Sequence, residues 1–404
     1  MSLVNIISAI GNNSSVYPLL IRDCGIENPV KIGLTYKQNL KDSKQMAKDA
    51  FRERTIDEYV CSALWLGGIP VMDKICDWGI KKLGYDPNID IKLLKNNSTQ
   101  GIKTNIKKFK NSAKNEVKSL EKVLKNKKTF EKLQATKFVL STSIPVFLMG
   151  YCLPKTNFAI TEKLRKKNSN QTINTKETSG EISFKGNVVS TLASMSTVNK
   201  MAVTDGGLTI GRVSTARNKN EKLEMAFKML GMMFLNFVAP SWIAKGFDGI
   251  SNKLFKINVN LDPKILNDKE LLSMIKNKAL ELPKDDNIIE FIDKNPKSKF
   301  SKLTEQFCGV KRLKNGVRDP RFFVDEKKII EFKNEIEIFA KQALESKDVD
   351  KYAKKALKIK SANILANIVL SSFLLAVCLP KLTFYLRKLI TKSDAEPGLV
   401  IKIS

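Results

Sequence analysis

The chain has 404 residues, 43% of them hydrophobic, with 70 Lys plus Arg against 41 acids and a net charge of +29. That length allows a sizeable buried core, and that apolar content excludes simple disorder, which combines high charge with low hydrophobicity. Histidine is absent, which excludes Ser-His and Cys-His catalysis, His-ligated zinc, iron or haem, and imidazole pH switches.

Ten of the basic residues are Arg and sixty are Lys. A Lys-dominated excess suits a diffuse electrostatic surface, such as one facing anionic lipid, better than base-specific reading of nucleic acid. An AT-rich coding sequence produces the same abundance of Lys, Asn and Ile. The first residues, Met1 to Gly11, lack a basic segment ahead of their short apolar run, so no cleaved signal peptide is expected. Cys24, Cys61, Cys76, Cys152, Cys308 and Cys378 show neither CxxC nor metal-ligand spacing. They read as small hydrophobes in a reducing compartment, and no metal or cofactor is expected.

Along the chain, the first uncharged stretch is Tyr59–Met72, 14 residues with Pro70 near its end. Lys74 and Asp77 follow it, three apart and so on one helix face. Gly101–Lys132 then carries eleven Lys. Its apolar residues Ile102, Ile106, Phe109, Ala113, Val117, Leu120 and Leu124 are spaced by three and four, which predicts one basic amphipathic helix over about 101–132. The second uncharged stretch, Phe138–Pro154, has 17 residues with Pro145 inside, and ends in Cys152-Leu153-Pro154-Lys155. The polar run Asn168–Gly186 has no helical period and reads as a linker.

In the second half, Gly206-Gly207 and Gly211 suggest a turn; the phosphate-loop lysine is missing. Met229–Ala244, 16 uncharged residues, contains Pro240 and precedes Lys245 and Asp248. Asn267 with Glu270 resembles a capping box for a helix stopped by Pro283, and a short helix is expected over Asp286–Lys294. Arg318-Asp319-Pro320-Arg321 reads as a turn with exposed charges. Ile329, Phe332, Ile336, Phe339 and Ala343 mark another helix. The last stretch, Ser361–Pro380, has 20 uncharged residues and alone reaches the roughly 30 Å of a hydrocarbon core unaided. It ends in Cys378-Leu379-Pro380-Lys381, the same tetrapeptide as before, and a basic, aromatic segment Leu382–Lys392 follows.

These landmarks recur in order. Asp23-Cys24-Gly25-Ile26 parallels Asp205-Gly206-Gly207-Leu208; Pro70 parallels Pro240; Lys74 and Asp77 parallel Lys245 and Asp248; the two Cys-Leu-Pro-Lys motifs correspond. The sequence therefore predicts an all-α, membrane-associated protein of two tandem related halves in the same orientation. The first half spans 1–167 and the linker 168–186. The second spans 187–404, with a helical insertion over about 264–350. Each half is expected to contribute two apolar helices, with each Cys-Leu-Pro-Lys turn ending one of them at a membrane interface.

With no catalytic constellation, the expected function is non-enzymatic: scaffolding, or binding of anionic lipid or a protein partner through Lys-rich faces. The expected location is a membrane, with the soluble portions cytoplasmic. An alternative is a small transporter or channel of parallel repeats around Lys74, Asp77, Lys245 and Asp248. A nucleic-acid binder is a third, disfavoured reading, since Phe109 and Phe130 are the only aromatics among the lysines of 101–132.

Overall fold

The computed structural model describes residues 2–12, 15–95, 100–168 and 197–392. It is all-α, with one isolated antiparallel bridge, Arg312 to Arg318, among the described residues. The linker expected over 168–186 lies, after Asn168, outside them.

Helix α1 (Leu3–Gly11) leads into six long helices that form a closed ring. Helix α2 runs through Tyr17–Leu20, Ile21–Glu27 and Asn28–Asn39; α3 runs through Lys44–Ala63, Leu64–Gly68 and Ile69–Lys82. Helices α4 (Ile102–Phe109) and α5 (Lys114–Lys125) precede α6, built from Lys127–Phe147, Leu148–Cys152 and Leu153–Asn168. The basic stretch 101–132 is thus not one helix but α4, α5 and the start of α6. The chain breaks at Lys110–Ala113, where Ala113 adopts non-helical angles so that Phe109, Ala113 and Val117 can close over Leu313 and Val317.

Helix α7 (Thr197–Ser214) follows, then α8 through Lys219–Met233, Phe234–Val238 and Ala239–Phe255. Helices α9 (Lys269–Lys276), α10 (Ile288–Lys294) and α11 (Glu326–Glu345) precede α12, which runs through Val349–Phe373, Leu374–Cys378 and Leu379–Thr391. The helix expected from Asn267 begins one residue later, capped by Asp268, whose carboxylate accepts from the Leu271 amide.

Five of the long helices share a device. In α2, α3, α6, α8 and α12 a π-helical turn sits immediately ahead of Pro29, Pro70, Pro154, Pro240 and Pro380. Proline lacks an amide proton and its ring collides with the carbonyl four residues back. Here the residue before the proline donates instead to the carbonyl five back: Asn28 to Asp23, Leu153 to Leu148, Ala239 to Phe234 and Leu379 to Leu374. The wider turn absorbs the proline and the helix continues. The prolines therefore do not end the apolar helices, as the sequence suggested. Beyond Pro380, α12 runs on to Thr391.

The glycines at 206, 207 and 211 likewise do not form a turn; they lie inside α7. Their absent side chains let α7 press against α6. A Cβ on Gly211 would stand 3.1 Å from the Gly150 Cα, and one on Gly207 would stand 3.1 Å from Val146. Small residues four apart on facing helices permit this approach.

Ring neighbours run α2–α3–α6–α7–α8–α12 and back to α2. The last long helix of each half, α6 or α12, packs on the first of the other, α7 or α2. Between α3 and α6, the described residues of 83–126 form a small lobe, with Ile91, Leu93 and Leu120 packed around Phe130 of α6. Between α8 and α12, residues 256–348 form a larger one around Ile265, Ile292, Phe300, Ile336 and Phe339. The lobes dock on each other: the Asp90 amide donates to the Arg321 carbonyl at 2.8 Å, and Arg321 reaches Asp86 at 2.7 Å. Both lobes therefore hang from the same end of the ring. The motif at 318–321 belongs to this contact, so its charges are not exposed: Arg318 and Asp319 are buried.

Candidate functional site

All ten arginines of the chain sit in ion pairs, and none is exposed. Six of them are in the ring helices, and a seventh, Arg217, lies in the bend between α7 and α8. Arg22 of α2 lies 3.3 Å from Glu27, which Lys31 also meets at 2.9 Å. On α3, Arg54 pairs with Glu58 at 2.8 Å. Arg212 of α7 grips Asp57 of α3 with two bonds of 2.6 Å, and Arg387 of α12 holds Glu224 of α8 at 2.6 Å. Arg217, beside the α8 start, bridges Glu221 and Glu53. Arginine's planar fork suits such desolvated pairing, whereas lysine is better left in water.

Two of these pairs are related by position. Arg54 and Glu58 stand 16 and 12 residues before Pro70, as Glu224 and Lys228 stand before Pro240. The signs are reversed, and Glu58 meets Lys228 across the ring at 3.8 Å. Around them lies a cleft with about 700 Å³ of atom-free space, walled by Arg54, Asp57, Arg212, Glu221, Glu224 and Lys228 among others.

The outside of the same helices is apolar. Trp78 on α3, Phe147 on α6, Leu230 and Trp242 on α8, and Val369 and Tyr385 on α12 are all more than half exposed. Three helices are long and apolar enough to cross a membrane by length and composition: Lys127–Arg165, Lys219–Phe255 and Val349–Thr391.

The residues singled out from sequence are placed as follows. Asp77 pairs with Lys137 of α6 at 2.5 Å, not with Lys74. Asp248 pairs with Lys360 of α12 at 2.5 Å and accepts from the Asn363 side-chain amide at 2.9 Å, not from Lys245. Lys74 and Lys245 are exposed. Asp77 and Asp248 thus clamp α3 to α6 and α8 to α12, each within its own half, and neither lines the charged cleft. In the two motifs, Pro154 and Leu379 are buried, while Cys152, Leu153, Cys378 and Pro380 are half-buried. Lys155 donates to the Tyr151 hydroxyl at 2.7 Å and lies over its ring; Lys381 is exposed.

Sequence reading missed the interior charges because they lie outside the uncharged stretches. A signal was present in the rarity of Arg among so many Lys, which marks the positions that need a bidentate cation.

In the lobes, chemistry is muted. Burial pushes the Cys308 thiol up to about 12, and burial raises the Asp90 carboxyl above its ordinary range. Among the described residues no group of three or more His, Cys, Asp or Glu side chains is disposed to hold a metal ion. No protein-family model matches the chain, and neither a curated protein nor a solved structure is significantly similar to it.

Proposed function

We propose that the six-helix ring is embedded in a membrane and that its charged interior is a chamber for transporting a small charged solute. The observation that carries this reading is the reversal of burial: apolar side chains cover the outside of the ring, while Arg, Lys, Asp and Glu pairs occupy its inside. Charged residues within a bundle in lipid face its interior and mark substrate or ion pathways. The π turns support it too, because broken helices line the sites of many transporters. The matching order of helices and ring contacts in α2–α3–α6 and α7–α8–α12, with a π turn in the second and third helix of each set, supports two parallel copies of one unit. A chamber between two such copies takes the place of the site first sought at Asp77 and Asp248.

The test has two parts. Full-length protein should stay with the membrane after carbonate extraction; release into the supernatant refutes embedding. In liposomes, a variant keeping Cys61 as its sole cysteine should react with a membrane-impermeant thiosulfonate, since Cys61 lies beside Arg212, which walls the cleft, and lines the cavity next to it. No reaction, with Cys61 freely labelled in denatured protein, refutes an aqueous chamber.

A second reading concerns the lobe end. Lys103, Lys107, Lys110, Lys114, Lys118 and Lys125 are exposed on and between α4 and α5, which favours contact with anionic lipid headgroups at that end. Co-sedimentation of the full chain with phosphatidylserine vesicles, lost at high salt and absent with phosphatidylcholine, is the expected result. Equal binding to both lipids would refute it.

A further inference from the structure

Inside the ring, beside the charged cleft, is a second cavity in two parts that share Lys31 and Met232, with about 360 and 440 Å³ of atom-free space. One part is lined by Asp23 of α2 and Asp205 of α7, with Glu58 and Trp65 from α3, Met149 from α6 and Asn236 from α8. Asp23 and Asp205 are the aspartates that correspond in the two halves by sequence. Both are buried, at 9% and 8% exposure.

The two differ from the other acids of the interior. Glu27, Asp49, Glu53, Asp57, Glu58 and Glu224 each have an ion-pair partner. Among the described residues, Asp23 and Asp205 have none within ion-pair distance, and one carboxylate oxygen of Asp23 has no hydrogen-bond partner.

The cations nearby are already engaged. Facing Asp23 are Arg22, Lys31, Glu27 and Asp205; facing Asp205 are Arg212 and Lys31. Arg22 is held by Glu27 and donates to Asn236 Oδ1 at 2.9 Å, Lys31 is held by Glu27, and Arg212 by Asp57. From α3, Glu58 and the Cys61 thiol also line the cavity, and Glu58 is engaged by Arg54 and Lys228. Helix α12, packed on the π turn that carries Asp23, has no charged residue between Ser361 and Pro380. Helix α6, packed on α7, has none between Phe138 and Pro154.

We propose that Asp23 and Asp205 together form a proton-binding site inside the ring, with one proton shared between the two carboxylates. This rests on the reading of the ring interior as a transport chamber, and it names the coupling ion. Two carboxylates lining one cavity, with the cations nearby already paired, repel each other, and a proton on one of them removes that repulsion. A metal cation fits less well. Of the four carboxylates there, Glu27 and Glu58 are already ion-paired, the Ser62 hydroxyl already accepts from the Asn28 side-chain amide, and Arg22, Lys31 and Arg212 would repel it.

Infrared difference spectroscopy of the full-length protein in nanodiscs, titrated between about pH 5 and 9, tests the site. The expected result is a protonated-carboxyl band equivalent to one group per chain at neutral pH, lost in alkali. It should vanish in the Asp23→Asn/Asp205→Asn double variant, and each single variant should shift its midpoint by about one pH unit or more. Glu290→Gln, on the lobe, should leave it unchanged. No such band in the wild-type chain overturns the proposal, as does a band that survives in a folded double variant. Loss of the band on adding sodium chloride at fixed pH reassigns the pair to a metal cation and also overturns it. Failed Cys61 labelling with the band intact would remove the transport reading and leave the proton site standing.

Discussion

The larger lobe and the ring bury opposite kinds of side chain. Behind α11 the lobe packs Ile292, Phe300, Ile329, Ile336 and Phe339 against one another and turns most of its lysines, though not Lys333, outward. Within the ring, the buried set includes Arg22, Glu27, Lys31, Asp49 and Arg387, while Trp78, Trp242, Val369 and Leu254 look outward. A lobe core is held by the transfer of apolar surface out of water. Apart from Asp23 and Asp205, the ring interior depends on its buried charges meeting their opposites, because removing one partner of a buried pair costs several kcal/mol, roughly 3–5. The same chain thus carries one core built for water outside and one that suits an apolar exterior.

The largest effect should come from stranding charges in the ring. Glu27→Ala leaves both Arg22 and Lys31 without their carboxylate, and should cost about 5 kcal/mol in detergent-solubilised protein. A loss below about 1 kcal/mol would mean that the interior is as wet as a surface, and the contrast between the two cores would fail. The lobe should answer to cavity formation instead: Phe339→Ala, at a fully buried position, should cost about 3–4 kcal/mol by denaturant unfolding.

Smaller still is the effect of crowding the α6–α7 contact. Gly211→Ala places a methyl group 3.1 Å from Gly150 backbone, which cannot rotate aside. A melting curve should show a net loss of about 1–2 kcal/mol, after the better helix propensity of Ala is allowed for. At the outer face the two regions should part company again. Leu254→Gln, 72% exposed on α8, should change stability in detergent by less than about 0.5 kcal/mol. Ile329→Gln in the lobe, fully buried, should be far worse. Equal losses would show that the apolar exterior is covered by protein.

The smallest effect is a pH dependence in the lobe. Burial holds the Asp90 carboxyl above its unfolded value, about 3.9. The folded state then binds more protons, so this contribution is fully present below the unfolded value and fades as pH rises through the folded one. Amide exchange of residues 90–94 should accelerate across that window, and Asp90→Asn should flatten the response. Slower exchange at higher pH, after correction for intrinsic rates, would contradict the sign.

By itself the sequence determined that the chain is helical, that apolar stretches centre near 65, 146, 236 and 370, and that a stripe of Ile329, Ile336 and Phe339 builds a lobe. Those features rest on spacing and composition, which are local. It misplaced the ends of helices at Pro154 and Pro380 and the glycines of α7, because a π turn and a close helix contact are set by hydrogen bonds and neighbours that no local pattern encodes. The ion pairs were equally hidden. Asp57 and Arg212 are 155 residues apart, and Glu224 and Arg387 are 163 apart. Lys74 and Asp77 share a helix face, yet Asp77 pairs with Lys137 from a helix begun after the intervening lobe. Which cation a carboxylate meets is decided by the closing of the ring. That closing also leaves Asp23 and Asp205 in one cavity without a cation of their own, a pairing that correspondence in sequence suggested and only the packing of α2, α3 and α7 could bring about.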